Sequence, residues 1–248
     1  MRQPDASAPH SRRPRRRAWL WVVASGAAAA AALMPLDATI DAAARALRPG
    51  GDVLREITAM QQYGQFAVSV AMGAAVFLLD RVRRRRLLDW LAAAIITVAV
   101  TNLASGLTGR SRPHLADPFG FTGPFGVRVV ETGAGQRTVS PWQGGYDLAS
   151  FPSRHAAMAA VASCFLIALY PRVRPLAIAL AAVVGVGRVL TGAHWASDVA
   201  AGFTLGVACA VPALNGYWGT RALDWFWLRC IERNASPACP ALRAACGD

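Results

Sequence analysis

The sequence predicts an all-α membrane protein, a bundle of six transmembrane helices. Apolar residues make up 54% of the 248-residue chain, yet the formal net charge is +12. The mean hydropathy is +0.33. The charges stand in short blocks between long uncharged runs, a pattern typical of membrane proteins rather than of soluble cores. We therefore divide the chain into a basic cytoplasmic segment at 1–17, a membrane domain at 18–217 and a cytoplasmic tail at 218–248.

Six apolar stretches are long enough, or nearly so, to cross the ~30 Å hydrocarbon layer, which takes about 20 helical residues. The first follows a basic block, as a signal peptide would, but its long apolar run lacks a clear cleavage site and indicates a retained anchor. After it, Ile40–Leu47 has an amphipathic pattern and is expected to lie on the membrane surface. The predicted spans are Ala18–Leu36, Tyr63–Leu79, Leu87–Leu103, His155–Tyr170, Leu176–Leu190 and Ser197–Tyr217.

Arginine blocks predict the orientation of these spans. All 26 basic residues are arginines. They cluster before span 1 and after spans 2, 4 and 6, so alternate connections carry the positive charge and lie, with both termini, in the cytoplasm. Much Ala and Arg without Lys is typical of a GC-rich bacterial genome, which favours the inner membrane. The blocks are Arg12–Arg17, Arg81–Arg86, Arg172 with Arg174, and Arg221 with Arg229 and Arg233.

No nucleic-acid partner or metal site is predicted. The basic N-terminus is explained by topology or by contact with anionic lipid, without a nucleic acid. The cysteines show no CxxC and no Cys/His spacing for zinc, and we expect no cofactor, redox site or disulfide framework. They are Cys164, Cys209, Cys230, Cys239 and Cys246.

The outward connection at 104–154 is long and rich in Gly and Pro. A connection of that length without obvious periodicity is usually functional or disordered. Its aromatic residues are expected either to shape access for a ligand head group or to seat the loop at the membrane interface, and the sequence leaves both open. These residues are Phe119, Phe121, Phe125 and Trp142.

Three groups of ionisable residues stand at the outward ends of the spans. Such residues are costly at a membrane and indicate function. The first group is Gly109–Pro113, just past span 3, with Arg110 and Arg112. The second is Phe151–His155, which opens span 4. The third bridges spans 5 and 6 and consists of Arg188, His194 and Asp198.

The second group has the residues of a helix start. Pro is tolerated in the first turn and Ser caps it. Ser153, Arg154 and His155 would then surround a helix N-terminus, where free amides and the helix dipole favour an anion such as phosphate. An ordinary capped membrane helix with an interfacial histidine would show the same residues.

In the third group, the spacing of His194 and Asp198 matters. If span 6 begins near Trp195, these two residues lie four apart on one helical face. The carboxylate could then accept a hydrogen bond from one imidazole nitrogen and leave the other as base or nucleophile. A histidine that merely neighbours an acidic residue is the alternative.

Together the groups contain what metal-free phosphoryl transfer requires. Arg112, Arg154 and Arg188 offer forked donors that match phosphate oxygens. Two histidines allow one to attack phosphorus and the other to protonate the leaving oxygen, while one carboxylate orients the attacker.

These residues resemble the type 2 phosphatidic acid phosphatase (PAP2) family, which shares its site with vanadium haloperoxidases. The family pattern is Lys-x6-Arg-Pro, then Pro-Ser-Gly-His, then Ser-Arg-x5-His-x3-Asp. Order and spacing match in all three parts, and the resemblance covers roughly residues 60–215. The matching segments are Ser105-x6-Arg112-Pro113, Pro152-Ser153-Arg154-His155 and Gly187-Arg188-x5-His194-x3-Asp198.

The resemblance implies a six-helix membrane fold, an extracytoplasmic site and a reaction without metal. It makes His194 the nucleophile that forms a phosphohistidine, Asp198 its orienting group and His155 the general acid. The phosphoryl oxygens would be held by Arg112, Ser153, Arg188 and the amide of Arg154. The expected substrate is a lipid phosphate, such as undecaprenyl diphosphate, phosphatidylglycerol phosphate, phosphatidic acid or lipid A 1-phosphate.

The chain departs from the family pattern at three positions. Ser105 replaces the lysine, Arg154 the glycine and Gly187 the serine. We expect the side chain of Arg110 or Arg154 to supply the missing charge. Two other functions stay open, a lipid-to-lipid phosphotransferase with the same site and a non-catalytic lipid-binding relic. A transporter is disfavoured, because the ionisable residues are not near mid-membrane.

Overall fold

The helical fold predicted from the sequence is present, with one small sheet added. The structure is a computed structural model that describes residues 18–132, 135–143 and 145–231. Within these ranges the α-helices are α1 (Ala18–Leu33), α2 (Asp37–Leu47), α3 (Gly51–Met60), α4 (Phe66–Leu79), α5 (Arg86–Thr108), α6 (Arg154–Leu169), α7 (Arg174–Leu190), α8 (Ala196–Asn215) and α9 (Trp218–Cys230). The basic segment 1–17 lies outside the described residues, as do Arg233, Cys239 and Cys246.

By length and apolar composition, four helical runs among the described residues can cross a membrane. They are Ala18–Leu47, which joins α1 and α2, then α5, Pro171–Leu190 around α7, and α8. A fifth span results if α3 and α4, which meet at a bend of 59°, count as one. Helix α6 is apolar but only 16 residues long. The structure thus supports four to five spans, and the count of six stays a prediction.

Two segments are more ordered than the sequence indicated. Helix α5 continues five residues beyond the predicted span and ends at Gly109, whose φ of +56° is typical of a glycine helix cap. The tail predicted to begin at 218 starts with α9. This helix is joined to α5, because the Thr220 amide donates to the buried Asp89 carboxylate at 2.7 Å.

A β-hairpin inside the 104–154 connection corrects the all-α prediction. Strands β1 (Arg128–Thr132) and β2 (Gly135–Val139) pair antiparallel, with Arg128 opposite Val139. Strands of five residues are too short for an alternating pattern to stand out in the sequence. Val130 and Val139 face inward and pack against Leu148. The aromatic residues predicted to contact a head group or the interface are all exposed: Phe119, Phe121, Phe125 and Trp142.

Helix α6 lies at the centre of the bundle and packs most extensively against α8. Small residues allow this close approach. A Cβ atom added to Gly206 of α8 would lie 2.7 Å from the Cβ atom of Ala160, and one added to Gly202 would lie 3.1 Å from that of Ala156. The tight contact brings the N-termini of α6 and α8 side by side, and these are the two helix ends that carry the predicted site.

Candidate active site

The three predicted groups meet at one end of the bundle. Ser153 is the N-cap of α6, where its Oγ accepts from the Ala156 amide at 3.5 Å. The Ser153 amide donates to the carbonyl of Asp198 at 3.0 Å, which joins the start of α6 to the first turn of α8. Arg188 lies in the last turn of α7, and the short turn before α8 carries His194.

His194 is held in one tautomer, although not by the group that the spacing indicated. Its Nδ1 atom donates to the backbone carbonyl of Ser150 at 2.7 Å. The nearest Asp198 oxygen lies 3.9 Å from Nδ1, too far for a hydrogen bond. The predicted direct contact between Asp198 and His194 is therefore wrong in detail. Because Nδ1 bears the proton, Nε2 keeps its lone pair.

The surroundings of His194 favour the neutral ring. Burial lowers the pKa of His194 well below its ordinary value, and the charges of Arg112 and Arg188 lower this pKa further. The hydrogen bond to Ser150 acts in the opposite direction but does not outweigh them. A neutral imidazole with a free nitrogen, close to two guanidinium groups, is suited to attack a bound anion.

Asp198 is fully buried and is linked to His194 through Ser150. Its Oδ2 atom accepts from the Ser150 hydroxyl at 2.5 Å and from the Trp195 amide at 3.0 Å. Since the carbonyl of Ser150 binds His194, Ser150 connects the carboxylate to the imidazole. In this geometry Asp198 could orient His194 only indirectly, through Ser150.

Arg110 does not occupy the position predicted for it. Its side chain is fully buried, and its five N–H groups all donate to protein oxygens. The acceptors are carboxylate oxygens of Asp37 and Asp198, the Ser197 hydroxyl and the Pro118 carbonyl. With no donor to spare, Arg110 does not fit the predicted role of binding phosphate.

Arg112 is fixed by backbone carbonyls and keeps donors free. It donates from Nη1 to Ala193 at 2.6 Å, from Nε to Tyr146 at 2.7 Å and from Nη2 to Ala149 at 3.2 Å. These bonds use three of its five N–H groups. Burial lowers the pKa of Arg112 from its ordinary value. A buried guanidinium with two N–H groups left could donate to phosphate oxygens, and phosphate binding by Arg112 stays a prediction.

Two glutamines from the turn before α4 complete the site. Gln61 accepts from Nη1 of Arg188 at 3.4 Å, while Nε of Arg188 is buried without a partner among the described residues. The Gln65 amide nitrogen lies 3.2 Å from Nε2 of His155. Gly187 makes room for Gln61, because a Cβ atom there would lie 2.8 Å from the Gln61 side chain. The absence of the family serine thus accommodates a polar neighbour of Arg188.

Arg154 extends into a cavity at the edge of the site. It is exposed, and it lines a space of about 460 Å³ together with Ser105, Asn102 and Trp142. Ala149, whose carbonyl binds Arg112, lies in the same wall. The cavity therefore borders Arg112, and Arg154 lines it together with Ser105, the residue at the position of the family lysine.

Four residues that contact the site were not predicted from the sequence. Ser150 and Gln65 follow no motif, and nothing in their neighbourhood indicates a role. Gln61 also gave no signal. Asp37 did give one, since it is an acidic residue at the end of an apolar span and such residues are costly. In the described part of the chain, no three His, Cys, Asp or Glu side chains are grouped to hold a metal ion.

The fold and the site define a class: helical membrane proteins in which histidines and arginines meet at the ends of the helices. The chain belongs to the PAP2 superfamily, whose sequence model matches residues 86–222. This confirms the resemblance seen in the three motifs.

Similar proteins come from several bacteria. The chain is 32% identical over 123 residues to lipid A 1-phosphatases of Rhizobium etli and Rhizobium johnstonii. This match covers 48% of the chain, and 47% and 44% of those relatives, so the chain spans about half their length.

Two crystal structures share the fold. The chain aligns to LpxE of Aquifex aeolicus with a TM-score of 0.51 and 15% identity, over 73% of this chain and 95% of that one. It aligns to a PAP2-type phosphatidylglycerolphosphate phosphatase of Bacillus subtilis with a TM-score of 0.50 and 22% identity, over 80% and 93% of the two chains.

Proposed function

We propose that the protein removes phosphate from a membrane lipid, without a metal, through a phosphohistidine on His194. The observation that carries the proposal is the state of His194, which is neutral, held at Nδ1 by Ser150 and flanked by Arg112 and Arg188. Its Nε2 atom is the nucleophile, and the arginines neutralise the phosphoryl oxygens.

The reaction has two steps. In the first, Nε2 of His194 bonds to phosphorus, the bond from phosphorus to the leaving oxygen breaks, and His155 donates a proton to that oxygen. In the second, water attacks phosphorus and gives a proton to His155, and the bond between phosphorus and Nε2 breaks to release inorganic phosphate. Ser153 and the Arg154 amide, at the N-terminus of α6, hold phosphoryl oxygens with the helix dipole.

The arrangement in the membrane is part of the proposal. We place six spans in a bacterial inner membrane, with α6 as the short fourth span, both termini in the cytoplasm and the site outside. The 1–17 segment, the domain at 18–217 and the tail at 218–248 keep their predicted roles. Support comes from the arginine blocks and from the position of all three motif groups at one end of the bundle.

Among lipid substrates, the 1-phosphate of lipid A is the first to test, because the relatives from Rhizobium are named for it. Phosphatidylglycerol phosphate is second, since a structure of the same fold is named for that activity. Undecaprenyl diphosphate and phosphatidic acid complete the set. A site at the ends of the helices suits such amphiphiles, whose tails stay in the bilayer.

The deciding experiment measures phosphate release by detergent-purified protein from these four lipids, with and without a chelator. We expect release that persists with chelator, vanishes in His194→Ala and is retained in His114→Ala, a histidine paired with Asp147. Release that needs an added metal ion, or that survives His194→Ala, would overturn the mechanism. No release, but transfer of phosphate to an added acceptor lipid, would instead identify the phosphotransferase. Absence of both release and transfer would favour the non-catalytic lipid-binding relic.

A further inference from the structure

We infer that Asp37, from the N-terminal part of the chain, is a positioning residue for the nucleophile His194. The inference rests on the proposed function, because it concerns the orientation of that nucleophile. Asp37 opens α2 and lies outside residues 86–222, the part of the chain that matches the family. It contacts neither the phosphate-binding arginines nor His194 directly, and it acts through other residues.

Asp37 is completely buried and uses both carboxylate oxygens. Its Oδ1 atom accepts from the amide of Ser197 at 2.9 Å. Its Oδ2 atom accepts from Nη2 of Arg110 at 2.7 Å and from the Ser197 hydroxyl. Ser197 belongs to the first turn of α8, so Asp37 fixes Arg110 against the start of the helix that carries Asp198.

Arg110 lies between two carboxylates. Nη2 binds Asp37 and Nη1 binds Asp198 at 2.6 Å, and all three side chains have zero exposure. Buried like charges repel strongly unless a counter-charge separates them, and a buried charge that loses its partner is costly. Neutralising Asp37 would therefore leave Arg110 with one anionic partner and would change how it holds Asp198.

The chain of contacts continues from Asp198 to His194. The Ser150 hydroxyl donates to Oδ2 of Asp198, and the Ser150 carbonyl accepts from Nδ1 of His194. Each link is one hydrogen bond. A change in the position of Asp37 therefore reaches the imidazole ring through Arg110, Asp198 and Ser150. The network of Asp37, Arg110 and Asp198 also has one net negative charge, which stabilises the positive charge that His194 acquires when it is phosphorylated.

The test compares Asp37→Asn with Asp41→Asn. Asp41 is the matched control, because it lies one turn further along α2 and pairs with Arg45 at 2.8 Å instead of with Arg110. We expect Asp37→Asn to lower kcat by on the order of ten- to a hundredfold, as for other residues that orient a histidine indirectly, with KM changed less than about threefold. Asp41→Asn should keep the kcat of the wild type.

Orthovanadate separates positioning from folding. It forms a five-coordinate analogue of the phosphoryl transition state, so its binding depends on the orientation of His194, whereas inorganic phosphate reports the ground state. We expect Asp37→Asn to weaken inhibition by vanadate but not by phosphate. Because Asp37 acts through Arg110, the double variant with Arg110→Lys should be no slower than Arg110→Lys alone.

The inference is overturned if kcat stays at the wild-type level, if KM rises alone, or if the effects of the two substitutions on kcat multiply. If Asp37→Asn does not fold, Ser197→Ala removes one contact of Asp37 and should show the same split between kcat and KM in milder form. Vanadate binding can also be measured as stabilisation against thermal unfolding, a measurement that does not depend on hydrolysis. Stabilisation that Asp37→Asn loses would support the inference even in a protein that releases no lipid phosphate.

Discussion

At the scale of single residues, the site combines a neutral histidine with a high local positive charge. Burial is the main reason why His194 stays neutral, and the nearby charges of Arg112 and Arg188 disfavour its protonation further. The same guanidinium groups that would bind a phosphate thus help to keep the proposed nucleophile unprotonated.

The lowered pKa of His194 predicts a pH dependence of stability. In the unfolded chain His194 has an ordinary pKa of about 6.5, whereas burial holds the folded pKa well below that value. Below about pH 6.5 the unfolded state therefore binds a proton that the folded state does not bind. The contribution of His194 to stability is complete above that pH and is lost as the pH falls toward the folded pKa.

His194→Gln should remove this contribution. Between pH 7 and 5 the free energy of unfolding of the wild type should fall more steeply than that of the variant, by up to about 1.4 kcal/mol per pH unit. Urea unfolding in detergent at several pH values measures the difference. Parallel pH profiles for the two proteins would show that His194 is protonated equally in both states.

We predict that a charge at position 105 can replace the charge of Arg154, because both residues line one cavity. Arg154→Gly removes the only charge among the cavity-lining side chains described in the structure, so phosphate release should fall by at least tenfold, about the loss of one charge-assisted hydrogen bond. Adding Ser105→Lys restores a charge to the same cavity, in the family arrangement. We expect the double variant to recover activity, measured as kcat/KM. Equal activity of Arg154→Gly and the wild type would show that Arg154 does not replace the lysine.

The motif residues were predictable because each motif is local in sequence. Their partners were not, since His194 binds Ser150, which lies 44 residues away, and Asp37 binds Ser197 across 160 residues. The spacing of His194 and Asp198 does bring their side chains within 3.9 Å of each other. It cannot show that the hydrogen bond of Nδ1 goes to a carbonyl from another segment.

At the scale of elements, the contact of α6 with α8 determines the geometry of the site. The spacing Gly202-x3-Gly206 in α8 is typical of closely packed membrane helices, and a row of alanines faces it from α6. The sequence thus contains a signal for close packing of α8. The hairpin and α9 had no comparable signal, because the strands are short and the helix is only weakly apolar.

Gly206→Ala tests this packing. An alanine within a helix is intrinsically favoured over glycine by about 1 kcal/mol, but here its Cβ atom would lie 2.7 Å from the Cβ atom of Ala160. Overpacking typically costs about 1–3 kcal/mol, so we expect a net loss of stability. Phosphate release should also fall, since Ser153 moves relative to Asp198.

Gly50→Ala is the matched control, because nothing lies within 4 Å of a Cβ atom at that glycine. Its activity should equal that of the wild type, and its unfolding temperature should change less than that of Gly206→Ala, because only the N-cap of α3 is altered. Unfolding in detergent and phosphate release are measured for both variants. A Gly206→Ala protein as stable and as active as the wild type would show that α6 and α8 do not need this close approach.

At the scale of the whole molecule, hydropathy predicts where the helices lie. The apolar runs predicted the positions of the helices within a few residues, because burial in lipid demands long uninterrupted stretches. They could not determine the number of spans, since α6 has only 16 residues and α3 and α4 meet at a bend. Such short or broken helices depend on their neighbours for burial.

The orientation itself can be tested with two exposed residues. Val82 lies in the arginine-rich turn before α5 and is 91% exposed, whereas Phe125 lies in the loop near the site and is 93% exposed. In a background without the native cysteines, Phe125→Cys should react with a membrane-impermeant maleimide in intact spheroplasts. Val82→Cys should react only after the membrane is permeabilised. The reverse pattern would place the site in the cytoplasm, and labelling of both without permeabilisation would contradict the alternation on which the positive-inside argument depends.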